Sequence, residues 1–182
     1  IHYVDAPTQA SGKTKMVKAC LYPSCGKVPI SNLAPREEEV RKTISSDLLE
    51  GVQAIVYDNV VRNVDSPSLA AATTSDRYHD RALGSNAVID VPVRCTWAMT
   101  SNNADLNRDI ARRSVWIRLN PRRADPENRT DIKYDPLEDW CKENRALLVA
   151  ACCQAVTDWV KAGRPRFKAR IMASYENYAA IV

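Results

Sequence analysis

Apolar positions along the chain come in short blocks whose period alternates between two and about 3.6. The run IHYV, the loop DAPTQASGKT and the apolar-basic stretch KMVKAC predict a strand, a loop and a helix in succession. Residues 21–35 hold three prolines and a glycine and predict a connection. EEEVRKTISSDLLEG then places Val40, Ile44, Leu48 and Leu49 at helical spacing, with Gly51 past the end. AIVYDNV is apolar and β-branched up to Asp58, the pattern of a strand buried on both faces. A helix is expected from Ser66 as cap and Pro67 as first residue to Gly84 as stop. VIDVPV alternates with a β period, and Pro92 lacks a ladder donor, so an edge strand or hairpin is expected to about Val93, with the buried strand CTWAMT after it. ADLNRDIARR predicts a short helix, SVWIRL a strand, and Arg122 to Tyr134 a polar loop. One long helix is expected from the cap Asp135 to Gly163 and Pro165, packing through Leu137, Trp140, Cys141, Leu147, Leu148, Ala151, Ala155, Trp159 and Val160. ASYENYAAIV adds a last amphipathic piece.

The repeated β-loop-α order predicts an α/β chain with a central parallel sheet flanked by helices, followed by a small helical region. We divide it at residue 134, into a core of 1–134 and a helical region of 135–182. A length of 182 residues suits one domain that removes roughly 70% of its unfolded surface from water without a staple. No apolar run approaches the roughly 18 residues of a membrane span, so no membrane partner is expected. The start reads directly into a strand with no leader pattern, as an excised domain would. Six cysteines are scattered without knuckle spacing, which predicts reduced thiols in the cytoplasm and no zinc, with Cys141, Cys152 and Cys153 as core filler.

The net charge is +4, and all of it is C-terminal: residues 1–100 carry 11 basic and 11 acidic groups, residues 101–182 carry 15 and 11. Arg108, Arg112, Arg113, Arg118, Arg122 and Arg123 form one basic cluster, and Lys161, Arg164, Arg166, Lys168 and Arg170 a second. Such clusters serve DNA phosphates, or equally a solvated face or a subunit interface.

The strongest chemical signal is PTQASGKT, which matches the phosphate-binding loop GxxxxGK[ST] at every fixed position but the first. Pro7, Thr8, Gln9, Ala10, Ser11, Gly12, Lys13 and Thr14 would surround a nucleotide's phosphates. Backbone N–H groups converge there, Gly12 lets the backbone approach, Lys13 brings a cation to the β- and γ-phosphates, and Thr14 offers a hydroxyl to Mg2+. Pro7 departs from the pattern because it removes an N–H and fixes φ. Asp58, at a strand end forty-five residues after Lys13, is placed to anchor the same metal. Asn102, in the strand ending TSNN, would orient water or the γ-phosphate. Arg112 and Arg113, at the end of DIARR, would supply charge to the transition state.

The loop PTQASGKT, the strand IVYDNV, the pattern DRALG, TWAMTSNN and DIARRSVWIRLNP together resemble the AAA+ ATPase domain of superfamily-3-like helicases and primase-helicases of bacterial phages, plasmids and integrated elements. The likeness runs from about Tyr3 to Pro165. It implies a P-loop NTPase fold, ring assembly, most simply a hexamer, and Mg-ATP hydrolysis coupled to work on DNA. On that resemblance Gly12, Lys13 and Thr14 are the Walker A residues, Asp58 the Walker B aspartate, Asn102 the sensor amide and Arg112 or Arg113 the arginine finger. An arginine on that helix is expected at the far edge of the sheet from its own loop. The family's usual acidic residue after the Walker B aspartate is Asn59 here, and an amide cannot accept a proton at neutral pH. Asp5, beside the loop, is the alternative carboxylate for that role. Because of Pro7 and Asn59, a second reading stays open: an ATP-gated, weakly hydrolysing DNA-binding scaffold. A small-molecule kinase would leave DIARR without a role.

Overall fold

The structure is a computed structural model that describes residues 1–61, 63–81, 87–122, 125–167 and 175–181. In chain order its elements are β1 (His2–Asp5), α1 (Lys13–Cys25), α2 (Glu37–Leu49), β2 (Ala54–Val60), α3 (Pro67–Thr74), β3 (Arg77–Arg81), β4 (Val88–Pro92), β5 (Thr96–Ser101), α4 (Arg108–Ala111), β6 (Val115–Arg118), α5 (Leu137–Glu143), α6 (Arg145–Lys161) and α7 (Glu176–Ala179). Four strands form the expected parallel sheet, in the order β2-β5-β1-β6. On the outer side of β2, Ser31 pairs with Tyr57 through a single parallel bridge.

The sheet is covered on both faces, and the strand alternation sorts its residues between two cores. Tyr3, Ile55, Tyr57, Trp97 and Met99 point to the face of α2 and α3, against Val40, Ile44, Leu48 and Leu69. Val4, Ala54, Val56 and Ala98 point to the other face, against Val17 of α1 and Val28. Placing β1 between β5 and β6 brings the carboxyl ends of β1, β2 and β5 together, where loops of a parallel sheet hold ligands.

The helix expected from Ser66 to Gly84 is shorter. Ser66 caps it, accepting from Leu69 N at 3.1 Å, but it ends at Thr74. Residues 77–81 instead form β3, antiparallel to β4, with Tyr78 opposite Val91. Burial of Tyr78 against α2 drives the change, since its hydroxyl lies between Ser45 Oγ (3.3 Å) and Asp80 Oδ2 (2.9 Å) and a strand directs alternate residues to that face. VIDVP is thus one arm of a hairpin, with Pro92 at its end. The expected stop Gly84, and Leu83 of the DRALG pattern, lie outside the described residues.

The single helix expected over 135–163 is two. Pro136 rather than Asp135 is the cap residue, α5 ends at Glu143, and Asn144 separates it from α6. Gly163 does end α6, at φ +82°. Packing is confined to the first part. Cys141 is buried, Glu138 pairs with Lys18 of α1 at 2.8 Å, and Arg145 Nε donates to Tyr22 O at 3.4 Å. Cys152 and Cys153 are exposed, so they are not core filler here, and Leu147 is 66% and Val156 61% exposed. The apolar positions of α6 are of core type, and no described element lies over most of them. Tyr175, ahead of α7, donates its hydroxyl to Thr73 O at 2.6 Å. All six cysteines are unpaired with one another, and no helix among the described residues is long and apolar enough to cross a membrane.

Ile44 is fully buried between α2 and the sheet. Ile44→Ala is expected to destabilise the protein by about 2–5 kcal/mol in urea unfolding, whereas Val156→Ala on exposed α6 should stay within about 0.5 kcal/mol of the parent.

Candidate functional site

The loop between β1 and α1 turns back on itself through two left-handed residues, Ala10 at φ +53° and Gly12 at φ +86°. Gly12 is the position where a side chain would be strained, and its carbonyl accepts from Met16 N at 2.9 Å to open α1. Lys13 therefore starts the helix already pointed into the protein. Its side chain is buried, and its ammonium donates to Asn102 Oδ1 (2.6 Å), Ser11 Oγ (3.0 Å) and Thr8 O (3.3 Å), all neutral acceptors. Burial pulls the Lys13 pKa down, while the charges of Asp5 and Asp58 hold it up. Thr8 Oγ1 is a buried polar atom without a protein partner in the same loop. A buried cation with only neutral acceptors, beside an unsatisfied hydroxyl, fits an anion such as a phosphate.

Thr14, in the first turn of α1, donates from Oγ1 to Asp58 Oδ1 at 2.6 Å. Thr100 of β5 donates to the same oxygen at 2.6 Å. The Thr100 hydroxyl in turn accepts from Asn59 N at 2.9 Å, and Asp58 N donates to Ser31 O at 2.9 Å. Two hydroxyls thus fix the carboxylate, and the Ser31 carbonyl fixes its backbone. Asn59 stands at φ +51°, which asparagine tolerates better than most residues, and its Oδ1 accepts from Asn102 Nδ2 at 3.1 Å. Lys13, Thr14, Asp58, Asn59 and Asn102 are together, as their order in the sequence predicts. The sequence offers no role for Thr100, although a hydroxyl level with the end of the Asp58 strand is the kind of group that could have been sought there.

Asp5 is committed elsewhere. It is 2% exposed, its Oδ1 accepts from Ser101 Oγ and Asn103 N, both at 2.8 Å, and its Oδ2 lies 3.6 Å from Arg118. Tyr3 OH lies 2.6 Å from Ser101 Oγ and donates to Ala104 O at 2.8 Å. Asn103 Nδ2 donates to Pro7 O at 3.3 Å, so the residue that replaces the first glycine is held through its carbonyl.

The loop forms one wall of an open cleft of about 1420 Å3. The facing wall includes Leu119, Pro121, Ile132, Tyr134 and Leu137, so the stretch expected to be plain polar loop, through Ile132 and Tyr134, helps line the cleft. Tyr134 stacks on Trp140 with ring centroids 4.4 Å apart, and Lys133 Nζ lies 5.0 Å from the Tyr134 ring. An isoleucine and a tyrosine inside a polar stretch were the available signal.

Arg112 and Arg113 are not near the cleft. They lie at the amino ends of the strands, where Ile1 N donates to Arg113 O at 2.8 Å and Val115 N to Ile1 O at 2.8 Å. Asp5 pairs in register with Arg118, so the arginines and the loop are separated by on the order of 16 Å along β6. β6 is next to β1, so the separation is to the far end of the sheet and not its far edge. Both arginines pair with Asp109, Arg112 Nε at 2.8 Å, and Arg113 also donates to Asp109 O at 2.7 Å. Arg112 is 46% exposed and Arg113 11%. Of the basic clusters, Arg123, Lys168 and Arg170 lie outside the described residues, while Lys161, Arg164 and Arg166 are exposed.

No protein-family model matches the chain, and no curated protein matches it. Among solved structures, a JCV helicase bound to a phenoxyphenyl acetamide compound is similar at TM-score 0.46 and 14% identity, over 79% of this chain and 40% of that one. This chain therefore spans less than half the length of that helicase chain, and the site stands on its own geometry. The class that geometry defines is a parallel α/β sheet flanked by helices, with a strand-loop-helix turn at its carboxyl end that holds the buried Lys13 ammonium.

Gly12→Ala is expected to lower stability by roughly 1–2 kcal/mol in denaturant unfolding, since a Cβ at a left-handed φ costs that much. The strain is purely one of backbone conformation, because the added atom meets nothing within 4 Å.

Proposed function

We propose that the chain is the ATPase module of an AAA+ P-loop protein of the superfamily-3-like helicase or primase-helicase kind, binding and hydrolysing Mg-ATP to move or remodel DNA. Residues 1–134 would form the nucleotide-binding core and 135–182 a C-terminal helical region. The observation that carries the reading is the convergence of Lys13, Thr14, Asp58 and Asn102 at the mouth of the loop, with a buried ammonium facing only neutral acceptors.

In this reading the amides of residues 8–14 and the Lys13 ammonium would hold the β- and γ-phosphates, and Thr14 and Asp58 are the residues that would hold Mg2+. When bound, the metal neutralises charge that develops on the transferring phosphoryl group. Thr100 and Ser31 keep Asp58 in place, and Asn102 faces the γ-phosphate. Arg112, more exposed than Arg113, is the better candidate to enter a neighbouring copy's cleft, which makes the ring the active form. DNA is the partner that suits the exposed basic residues. One observation favours the scaffold alternative of slow turnover: Asn59 carries no base, and Asp5 is tied into the sheet.

Lys13→Ala should weaken ATP binding about 100-fold or more in a calorimetric titration, because charge-assisted bonds to the phosphates are lost. Equal affinity in mutant and parent would overturn the phosphate-loop assignment. Asp58→Ala should abolish the Mg2+ dependence of binding while leaving metal-free binding in place.

Arg112→Ala should leave ATP affinity intact and reduce turnover about 10³-fold, the scale of such fingers. Mixing it with Lys13→Ala protein should restore part of the activity. A mixture that stays inactive where sedimentation shows assembly would exclude a shared site.

A further inference from the structure

Asn102 and Asn59 form a pair whose chemistry differs from that of an amide facing a carboxylate. Lys13 is a donor only, so the atom of Asn102 facing it must be Oδ1, as the 2.6 Å contact has it. Nδ2 of Asn102 then faces Asn59, whose Oδ1 accepts it at 3.1 Å. In this arrangement the end of β5 presents an acceptor to the mouth of the loop. A γ-phosphate is an acceptor only, and it needs the opposite, a donor.

We propose that Asn59 is a positioning residue that acts through Asn102, and that the two amides turn over together when a nucleoside triphosphate enters. This rests on the nucleotide reading of the cleft. Two amides are complementary in both senses. If Asn102 turns about its Cβ–Cγ bond, its Oδ1 faces Asn59, and Asn59 turns in the same way to offer Nδ2. The mouth of the loop then meets a donor, Lys13 is released from Asn102 to the incoming phosphates, and no polar atom is left unpaired. A carboxylate at position 59 has no donor and would hold Asn102 Nδ2, keeping Oδ1 toward the phosphate. Asn59 therefore trades a proton-accepting group for a reversible pair that distinguishes triphosphate from diphosphate. Its side chain is exposed and its backbone already sits at φ +51°, so Asn59→Asp, whose side chain also tolerates that region, is compatible with folding.

The test is a double-mutant cycle on the whole chain, with calorimetric affinities for ADP and for the non-hydrolysable triphosphate AMP-PNP in the presence of Mg2+. Asn59→Asp should raise the ratio of the AMP-PNP to the ADP dissociation constant about tenfold or more, the loss of one charge-assisted hydrogen bond. In an Asn102→Ala background the same substitution should change that ratio about threefold or less, leaving only charge repulsion at an exposed site. An equal rise in both backgrounds would assign the effect to repulsion and overturn the proposal, as would no rise in either. If the parent binds neither ligand, the nucleotide reading itself fails, a result distinct from binding with an unchanged ratio.

Discussion

Two hydroxyls converge on one oxygen of Asp58, from Thr14 and from Thr100, each at 2.6 Å. That junction joins the first turn of α1 to the ends of β2 and β5, three elements distant in sequence. It exists only because β5 lies between β1 and β2, which sets Thr100 level with the carboxylate. The loop-helix unit is thereby referenced to the sheet at its carboxyl end. The geometry of Lys13 and Asn102 follows from the same placement, since Asn102 is two residues beyond Thr100.

A second carboxylate performs the purely structural share of the work. Asp5 closes the loop between β5 and α4 by accepting from Ser101 and Asn103, and Asn103 carries the connection on to Pro7. Nearly complete burial makes these hydrogen bonds expensive to lose, since each partner would be left unsatisfied. The end of the sheet thus holds two acids with different duties. One is enclosed and braces the loop, and the other stands half-buried, held by the hydroxyls of Thr14 and Thr100.

The two ends of the sheet also differ in chemistry. Lys13 and Thr14 gather with Asp58 at the carboxyl ends of the strands, while Arg112 and Arg113 gather at the amino ends with Asp109. Arg112 and Arg113 therefore lie away from the chain's own cleft, whose lining includes Arg122 and Arg129 instead. The helices after residue 136 leave much apolar surface uncovered on α6, so the described residues do not by themselves satisfy every element they contain.

Much of this was legible in local pattern. The strand-loop-helix around Lys13, the buried strand ending at Asp58, the capped start of α3 and the stop at Gly163 all follow from short-range rules of burial, capping and turn conformation. The order of motifs was enough to place Lys13, Asp58 and Asn102 together, because parallel strands deliver their carboxyl ends to one side. Other features depended on contacts between distant segments. RYHDR forms a strand because Tyr78 finds the face of α2, and the helix signal of 135–163 is broken at Asn144, with the start of α6 still held to α1 through Arg145 and Tyr22. Residues 125–134 help wall the cleft, Asp5 is withdrawn into the sheet, and Thr100 meets Asp58 between the adjacent strands β5 and β2. Periodicity and capping report the free energy of a segment with its own neighbours in sequence. Which group each side chain meets across the sheet is decided by strand order and register, and those are set only when the chain has folded.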